Sequence, residues 1–263
     1  MSYLVEQEYL NIMKDINWNG VRKEGRNGAY YSIPFPQLSW DMSGGFFPLI
    51  TTRKMFYKGV LGEYAAMIRG PKHIEDFRKW GCNFWDAWAE EDGSINVDYG
   101  NAWRDYNGVN QMEYVLDALT NNPGDRRMVI DAWRPDRLTD LSLPCCHYSY
   151  QFWSDGETIS LLWNQRSADW CVGVPSDMVF ASVMLLCFAQ LSGSKPGKVV
   201  MQFGDAHIYE EHMDQAHKQS RMNPWFPPKY RLSEQEDLYS FQPADLYLEG
   251  YQHEERLSYE LKD

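Results

Sequence analysis

The sequence has few cysteines, and none has the spacing that a disulfide framework or a zinc site requires. No CxxC pair occurs among its five cysteines, which are at positions 82, 145, 146, 171 and 187. Reduced thiols in the cytoplasm are therefore expected. The sequence also lacks an uninterrupted run of about 18 apolar residues, and residues 1–17 have no apolar core. We predict neither a membrane span nor a secretory signal.

Positive charge is scarce relative to negative charge. The 25 lysines and arginines are outnumbered by 37 aspartates and glutamates, and the formal net charge is -12. An acidic protein of this kind does not attract nucleic acid or anionic lipid non-specifically, so no nucleic-acid partner is expected. The sequence also contains neither a GxGxxG turn nor a motif with metal-ligand spacing. NAD chemistry and a bound metal are therefore not predicted.

Aromatic side chains are abundant, at 15% of 263 residues. Most are expected in the core and at a subunit interface, and some as flat walls for a planar ligand. The length suits a single domain, predicted over residues 1–263. Interspersed helical and strand patterns predict the α+β class, with helices packed on a mixed or antiparallel sheet. The predicted helices span residues 58–69, 111–121, 177–192 and 209–221, and the predicted strands span residues 128–133, 148–153, 158–163 and 198–203.

Cys146 is a candidate nucleophile. It follows a proline and precedes a predicted strand, in the run Leu143-Pro144-Cys145-Cys146-His147. A thiolate is a strong nucleophile, and nearby cationic groups activate it. Successive side chains of a strand point to opposite faces, so only one of Cys145 and Cys146 can face a cleft. A lone cysteine is otherwise most often a small buried hydrophobe.

A set of cationic and hydroxyl side chains suits a phosphate monoester. Guanidinium groups bind such a dianion through paired hydrogen bonds, although any single arginine can equally be a solvated surface charge. His207 and Tyr209 have the same strand parity and could both bond a sugar hydroxyl. The alternative for His207 is a satisfied core residue. The phosphate candidates are Arg26, Arg126, Arg127, Arg166 and Ser167.

These residues belong to a series of motifs that resembles the thymidylate synthase family over nearly the whole chain. Each motif alone is a weak signal. They occur in the family's order and with compatible spacing, which gives the series its specificity. The motifs are Phe47–Thr52, Trp85–Trp88, Tyr99–Gly100, Asp125–Arg127, Pro144–His147, Gln165–Asp169, Gly173–Pro175 and Gly204–Tyr209.

The resemblance implies a mechanism for Cys146. The thiolate would add to C6 of a pyrimidine nucleotide, and C5 would then take up the one-carbon unit of 5,10-methylenetetrahydrofolate. Glu63 would relay protons to the base, and Tyr99 would lie near the C5 proton. The resemblance implies a folate pocket formed by Trp85, Trp88, Leu143, Asp169 and Gly173, with Asp169 binding the pterin.

The resemblance also implies how the nucleotide would be held. Arg26, Arg166 and Ser167 would bind its phosphate, and His207 and Tyr209 its sugar hydroxyl. In this family the phosphate site is completed across a subunit boundary, so an obligate homodimer is expected. The residues that would reach in from the second subunit are Arg126 and Arg127.

Asp177 departs from the family pattern, which has asparagine there. The amide of asparagine matches the O4 acceptor and the N3–H donor of uracil, whereas cytosine reverses both groups. A carboxyl that shares a proton with N3 can accept from the 4-amino group of cytosine as well. Asp177 therefore predicts dCMP as the substrate. The alternative is an asparagine that has drifted in an ordinary thymidylate synthase.

With aspartate at position 177, the chain resembles deoxycytidylate hydroxymethylases of phage type, in which water traps the methylene. Ser176 replaces a usual phenylalanine, Cys145 replaces a common proline or alanine, and the tail is polar over 251–256 and 261–263. These features favour a wetter pocket. The alternatives within the family are a dCMP methyltransferase, a CMP hydroxymethylase and a dUMP thymidylate synthase. From another class, an inactive nucleotide- or RNA-binding scaffold is a further alternative.

Overall fold

A seven-stranded sheet forms the centre of the fold in the structure, a computed structural model that describes residues 3–261. The helices are α1 (Tyr3–Asn19), α2 (Tyr57–Met67), α3 (Glu75–Arg78), α4 (Tyr99–Arg104), α5 (Gln111–Asn121), α6 (Gly173–Leu191) and α7 (Met213–Gln219). The strands are β1 (Val21–Gly25), β2 (Gly28–Pro34), β3 (Gln37–Asp41), β4 (Val129–Asp131), β5 (His147–Ser154), β6 (Thr158–Asp169), β7 (Lys195–Tyr209), β8 (Lys229–Leu232) and β9 (Leu246–Glu249). Short 3-10 turns cover Asp86–Trp88, Pro135–Arg137 and Glu210–His212.

The sheet is mixed, as the sequence predicts for the α+β class. Its order is β1-β2-β7-β6-β5-β4, and β3 pairs with the first half of β7. Strands β6 and β7 run parallel, and the other pairings are antiparallel. A parallel pair needs a long crossover connection, which α6 supplies here. Strands β8 and β9 form a separate hairpin.

Helix α6 is the most apolar helix and packs against β6 and β7. Its length and composition would suffice for a membrane span, but 78% of its apolar segment is buried inside the protein. It is therefore the core helix. It begins at Gly173, four residues before the predicted start, because Pro175 lies in the first turn, where a missing N–H costs nothing.

Strands β6 and β7 are longer than predicted, and this difference positions the site. The predicted strands ended at residues 163 and 203, where polar residues begin. The ladder instead continues, pairing Ser167 with Asp205 and Asp169 with His207. Polar residues tolerate a strand position when the neighbouring strand satisfies their backbone groups. The ends of both strands therefore carry polar and ionisable side chains that can bind a ligand or take part in catalysis.

The predicted helix over residues 209–221 is wrong at its start. Tyr209 is the last residue of β7 and pairs with Tyr30 of β2, and the helix α7 begins only at residue 213. The predicted strand over 128–133 is shorter than expected, because the Asp131 carboxylate accepts the N–H of Trp133 and turns the chain. The helix over 111–121 is confirmed, and the helix over 58–69 ends two residues early, before Gly70 at φ +69°.

Alternation along β6 separates the two faces of the sheet. Ile159, Leu161 and Trp163 are buried against the helices. The residues between them are only partly buried, and Trp153 on the neighbouring strand β5 is 59% exposed. One face of the sheet thus forms the core, and the opposite face presents partly apolar surface to the outside.

Candidate active site

A cavity of about 500 Å³ lies where β6 and β7 end. Most of the candidates from the sequence line it, although they come from distant parts of the chain. Arg126 and Arg127 are the two that do not line it. The candidates brought together are Arg26, Glu63, Trp85, Trp88, Tyr99, Leu143, Cys146, Arg166, Ser167, Asp169, Gly173, Asp177, His207 and Tyr209.

Cys146 faces the cavity, and its neighbour Cys145 does not. The N–H of Cys146 donates to the Tyr99 hydroxyl at 2.7 Å, which fixes the backbone just before β5 begins. Cys145 is 1% exposed, and its Sγ lies 3.6 Å from the carbonyl oxygen of Ala132. Burial raises the pKa of Cys145 to about 12. The two thiols therefore differ in access as the strand geometry predicts.

Two opposing influences set the pKa of the Cys146 thiol. Burial raises it above its ordinary value, and the Arg166 guanidinium lowers it. Asp177 raises it further only in its ionised form. The cationic activation that the sequence led us to expect is present, but burial outweighs it.

Asp177 projects from the first turns of α6 into the cavity. Its Oδ2 accepts a hydrogen bond from Gln165 Nε2 at 2.8 Å. Burial raises the pKa of Asp177 to about 8, and the negative charges of Glu63 and Asp169 act in the same direction. At neutral pH the carboxyl is therefore largely protonated and offers both a donor and an acceptor.

Glu63, on α2, is a second carboxyl of the cavity with a raised pKa. Trp85 Nε1 donates to Glu63 Oε1 at 2.7 Å. Burial raises the pKa of Glu63 to about 7, and the Trp85 hydrogen bond offsets only part of this. Both protonation states are populated near neutral pH, which suits a group that passes protons.

His147 lines the same cavity, although it was not a sequence candidate. Its Nδ1 lies 2.6 Å from the Tyr150 hydroxyl, and its Nε2 lies 4.0 Å from Asp177 Oδ1. Its ring packs against Tyr99 and Trp163, at centroid distances of 4.4 and 4.3 Å. Burial lowers the pKa of His147 to about 3, so the imidazole is neutral.

The polar end of the cavity carries the phosphate and sugar candidates. Arg166 Nε donates to the Cys145 carbonyl oxygen at 2.8 Å, which holds the guanidinium beside the thiol. Arg26, in the turn between β1 and β2, is exposed. His207 Nδ1 lies 3.2 Å from Asp205 Oδ1. Burial alone would raise the pKa of Asp205, but the nearby His207 and the Lys23 ammonium, which donates to Oδ2 at 2.8 Å, lower it to about 2.

Arg126 and Arg127 are both exposed. Arg127 Nε pairs with Asp125 Oδ1 at 2.9 Å, and its side chain is 78% exposed. A single chain thus leaves these arginines outside the cavity.

The aromatic end has flat walls. Trp85 and Trp88 lie 5.6 Å apart between ring centroids. The Trp88 indole N–H is enclosed and has no hydrogen-bond partner within residues 3–261. Asp169 Oδ1 accepts the N–H groups of Cys171 and Val172, at 2.8 and 3.1 Å. Aromatic rings, an unpaired donor and a carboxylate in the lining of one cavity fit a planar heterocycle such as a pterin.

The tail reaches this cavity. Tyr259 and Leu261 line it, and the Tyr259 hydroxyl donates to Gln219 Oε1 at 2.7 Å. Arg53 lies over the Tyr259 ring, 5.1 Å from its centroid. Ser176 also lines the cavity. Residues 262–263, which belong to the polar tail noted in the sequence, lie outside the described part of the chain.

Several lining residues have no place among the sequence candidates. Gln165 shares the strand parity of Ser167 and Asp169, so a strand extended to Asp169 would have revealed it. Most of the remaining residues have no periodic signal, because loops and the tail bring them in from distant parts of the chain. The exceptions are His147, which begins β5, and Ser176, which lies in α6. These lining residues are Asn27, Arg53, Met55, Phe56, Phe84, His147, Gln165, Val172, Ser176, Tyr259 and Leu261.

Asp169, Cys171 and His212 place potential metal-ligand atoms within 4.8 Å of one another, a grouping that sequence spacing does not reveal. Two of the three side chains already accept hydrogen bonds. Asp169 Oδ1 accepts from the backbone, and His212 Nε2 accepts the N–H of Glu260 at 3.2 Å. We assign no metal role to this group.

A comparison with protein families agrees with the motifs and the cavity. The family model described as thymidylate synthase matches residues 7–262, which is nearly the whole chain.

Proposed function

The chain belongs to the thymidylate synthase family, and from this premise we propose that it hydroxymethylates C5 of the cytosine in dCMP. Family membership implies a folate-dependent transfer of a one-carbon unit to a pyrimidine nucleotide. The further step to cytosine, dCMP and a hydroxymethyl product is our proposal. The observation that carries it is the Asp177 carboxyl in the cavity lining, which accepts a hydrogen bond from Gln165 and whose pKa burial raises to about 8.

Asp177 supports cytosine through its protonation state. A neutral carboxyl donates through its O–H and accepts through its carbonyl oxygen. Cytosine offers the complement, an N3 acceptor beside a 4-amino donor. An ionised carboxylate would instead oppose N3 with a second acceptor. The raised pKa of Asp177, about 8, supplies the neutral form that the pairing needs.

The residues of the cavity supply the covalent chemistry. Cys146 would add as thiolate to C6, with Arg166 stabilising its charge. The bond leaves C5 as the carbon nucleophile toward the methylene group that the folate supplies. Glu63 would then pass protons to and from the base. Loss of the C5 proton and release of tetrahydrofolate leave an exocyclic methylene on C5.

Water completes the proposed reaction. Its oxygen bonds to the exocyclic methylene, a water proton is lost, and the electron pair displaces the Cys146 thiolate from C6. The products are 5-hydroxymethyl-dCMP and tetrahydrofolate, with no net oxidation of the folate. Ser176 lines the cavity in place of a bulky apolar side chain, and this leaves more room for water near the folate wall.

The proposed enzyme is a homodimer. The exposed sheet face around Trp153 supports this assembly, since partly apolar surface on a sheet is typical of subunit interfaces. Arg126 and Arg127 are both exposed. In the proposed dimer they complete the phosphate site of the second subunit.

Mass spectrometry of the reaction products tests this proposal. The enzyme is incubated with 5,10-methylenetetrahydrofolate and, separately, with dCMP, CMP and dUMP. We expect a hydroxymethylated product from dCMP together with tetrahydrofolate. A methylated product, together with the absorbance of dihydrofolate, would show that the enzyme is a methyltransferase and not a hydroxymethylase. Turnover of dUMP alone would overturn the role of Asp177, and a preference for CMP would change the sugar.

A further inference from the structure

The two oxygens of Asp177 raise a problem of selectivity. A neutral carboxyl can carry its proton on either oxygen. One arrangement complements cytosine, and the reverse arrangement complements uracil, whose donor and acceptor are exchanged. A site that prefers cytosine therefore has to fix which oxygen carries the proton.

Gln165 donates a hydrogen bond to one of these two oxygens. Its Nε2 donates to Asp177 Oδ2 at 2.8 Å and also lies 3.1 Å from the Ser167 carbonyl oxygen, to which it donates. An amide donor facing Oδ2 favours the form in which Oδ2 is the acceptor and the proton is on Oδ1. Gln165 is 3% exposed, so water does not compete strongly for this hydrogen bond.

The amide of Gln165 could itself rotate and present its oxygen to Asp177. Trp163 opposes this rotation, because its Nε1 donates to Gln165 Oε1 at 3.2 Å and an indole N–H cannot accept. The Ser167 carbonyl oxygen, which accepts from Gln165 Nε2, acts in the same direction. Trp163 is 0% exposed. Its ring packs against His147 at 4.3 Å and Tyr150 at 4.8 Å between centroids, which holds the indole in place.

We infer that Trp163 is a specificity-determining positioning residue. Through Gln165 it fixes Oδ2 of Asp177 as the acceptor and Oδ1 as the donor. With Oδ1 facing N3 of the base, this order favours cytosine over uracil. Trp163 does not line the cavity, so it does not contact the base itself and acts on it through the hydrogen bonds of Gln165 and Asp177. This inference rests on the proposed function, because it presupposes a cytosine nucleotide.

Trp163→Phe tests the inference, since it keeps an aromatic ring and removes the indole N–H. We expect the ratio of kcat/KM for dCMP to kcat/KM for dUMP to fall about fivefold, the effect of one neutral hydrogen bond. Trp40→Phe is the matched control. Trp40 is also buried, and its Nε1 donates to Ser182 Oγ at 3.1 Å, outside the cavity lining. In Trp40→Phe the ratio of kcat/KM for dCMP to kcat/KM for dUMP should equal that of the wild type.

If kcat/KM falls equally for dCMP and dUMP in Trp163→Phe, the role of Trp163 is merely structural and the inference is overturned. The same shift of the ratio in Trp40→Phe would overturn it as well. If Trp163→Phe does not fold, Gln165→Met replaces it, because methionine has similar volume and cannot donate. An unchanged ratio in Gln165→Met would also overturn the inference. The wild-type enzyme distinguishes a failure of the inference from a failure of the proposed function. If the wild type does not turn over dCMP, the proposed function is wrong, and the role of Trp163 is a separate question.

Discussion

At the scale of single residues, the adjacent cysteines Cys145 and Cys146 allow a controlled test of the nucleophile. Cys146 lines the cavity, and Cys145 is buried behind it. Cys146→Ser should reduce kcat for dCMP by about a thousandfold or more, because serine is a far weaker nucleophile without an adjacent base. Cys145→Ala should keep kcat within severalfold. Steady-state kinetics with both variants decides this, and substantial turnover by Cys146→Ser would exclude it as the nucleophile.

The base preference should follow position 177. Asp177→Asn replaces the carboxyl by an amide of nearly the same shape, as in the family pattern. We expect the preference for dCMP over dUMP to fall by about a hundredfold or more, since a mispaired buried polar group discriminates strongly. The measurement is kcat/KM for both nucleotides. A variant that still prefers dCMP to the wild-type extent would show that other groups read the base.

The raised pKa of Asp177 predicts how nucleotide binding depends on pH. The carboxyl loses its proton as the pH rises through about 8, so the Kd for dCMP should increase above that pH. Isothermal titration between pH 6 and pH 9 measures this, with roughly tenfold weakening per pH unit as the upper bound for a single required proton. In Asp177→Asn this dependence should disappear. A wild-type Kd that is flat through pH 9 would contradict the need for a proton.

The same carboxyl links stability to pH. Its pKa in the folded state, about 8, is above the ordinary value of 3.8, so between these values the folded state binds more protons than the unfolded state. The free energy of unfolding should therefore fall as the pH rises from about 4 to about 8. Asp177→Asn should reduce this slope in urea unfolding at pH 5 and pH 8. An equally steep slope in the variant would assign the effect to other groups.

At the scale of elements, the tail forms a wall of the cavity. Tyr259 is held by its hydroxyl to Gln219 and lies beneath Arg53. Tyr259→Ala should raise KM for methylenetetrahydrofolate about tenfold, through loss of a large aromatic contact, and leave the Kd for dCMP nearly unchanged. Tyr247→Ala, on β9 and 62% exposed, is the control. Unchanged folate KM in Tyr259→Ala would show that the tail does not contact the folate.

Elements with a strong apolar pattern were predicted well from the sequence. Helix α5 matches its predicted range, and α6 differs by four residues at its start. The ends of β6 and β7 were not predicted, because Ser167, Asp169 and His207 are polar and only the neighbouring strand satisfies their backbone. Helix α1 was also not predicted. Local patterns report burial, and they do not report a partner that lies far along the chain.

The candidate site was predicted for a different reason. Most of its residues were found through motifs, whereas periodicity alone gave Cys146 and the polar groups only as open alternatives. Arg53 and Tyr259 were missed because the contact between them exists only in the folded chain. The elevated pKa values of Glu63 and Asp177 could not be predicted either, since they depend on burial by residues from several elements.

For the whole molecule, the proposed dimer predicts complementation between inactive variants. Cys146→Ser and Arg126→Ala should each be strongly impaired alone. Mixed dimers would place the intact arginine of one subunit beside the intact thiol of the other. After dissociation and equal mixing, about a quarter of the sites should be intact if subunits pair at random. Each variant denatured and refolded by itself is the control, and no recovery on mixing would argue against a shared site.

The parallel register of β6 and β7 has a consequence for how this protein can evolve. Ser167 pairs with Asp205, and Asp169 with His207. Deleting a single residue earlier in the regular part of the ladder, such as Leu162, would turn every following side chain of β6 to the opposite face. We therefore expect insertions and deletions to be tolerated in the turn over 155–157 but not along the strands. Lineages that keep the activity should vary in loop length and keep both strand lengths constant.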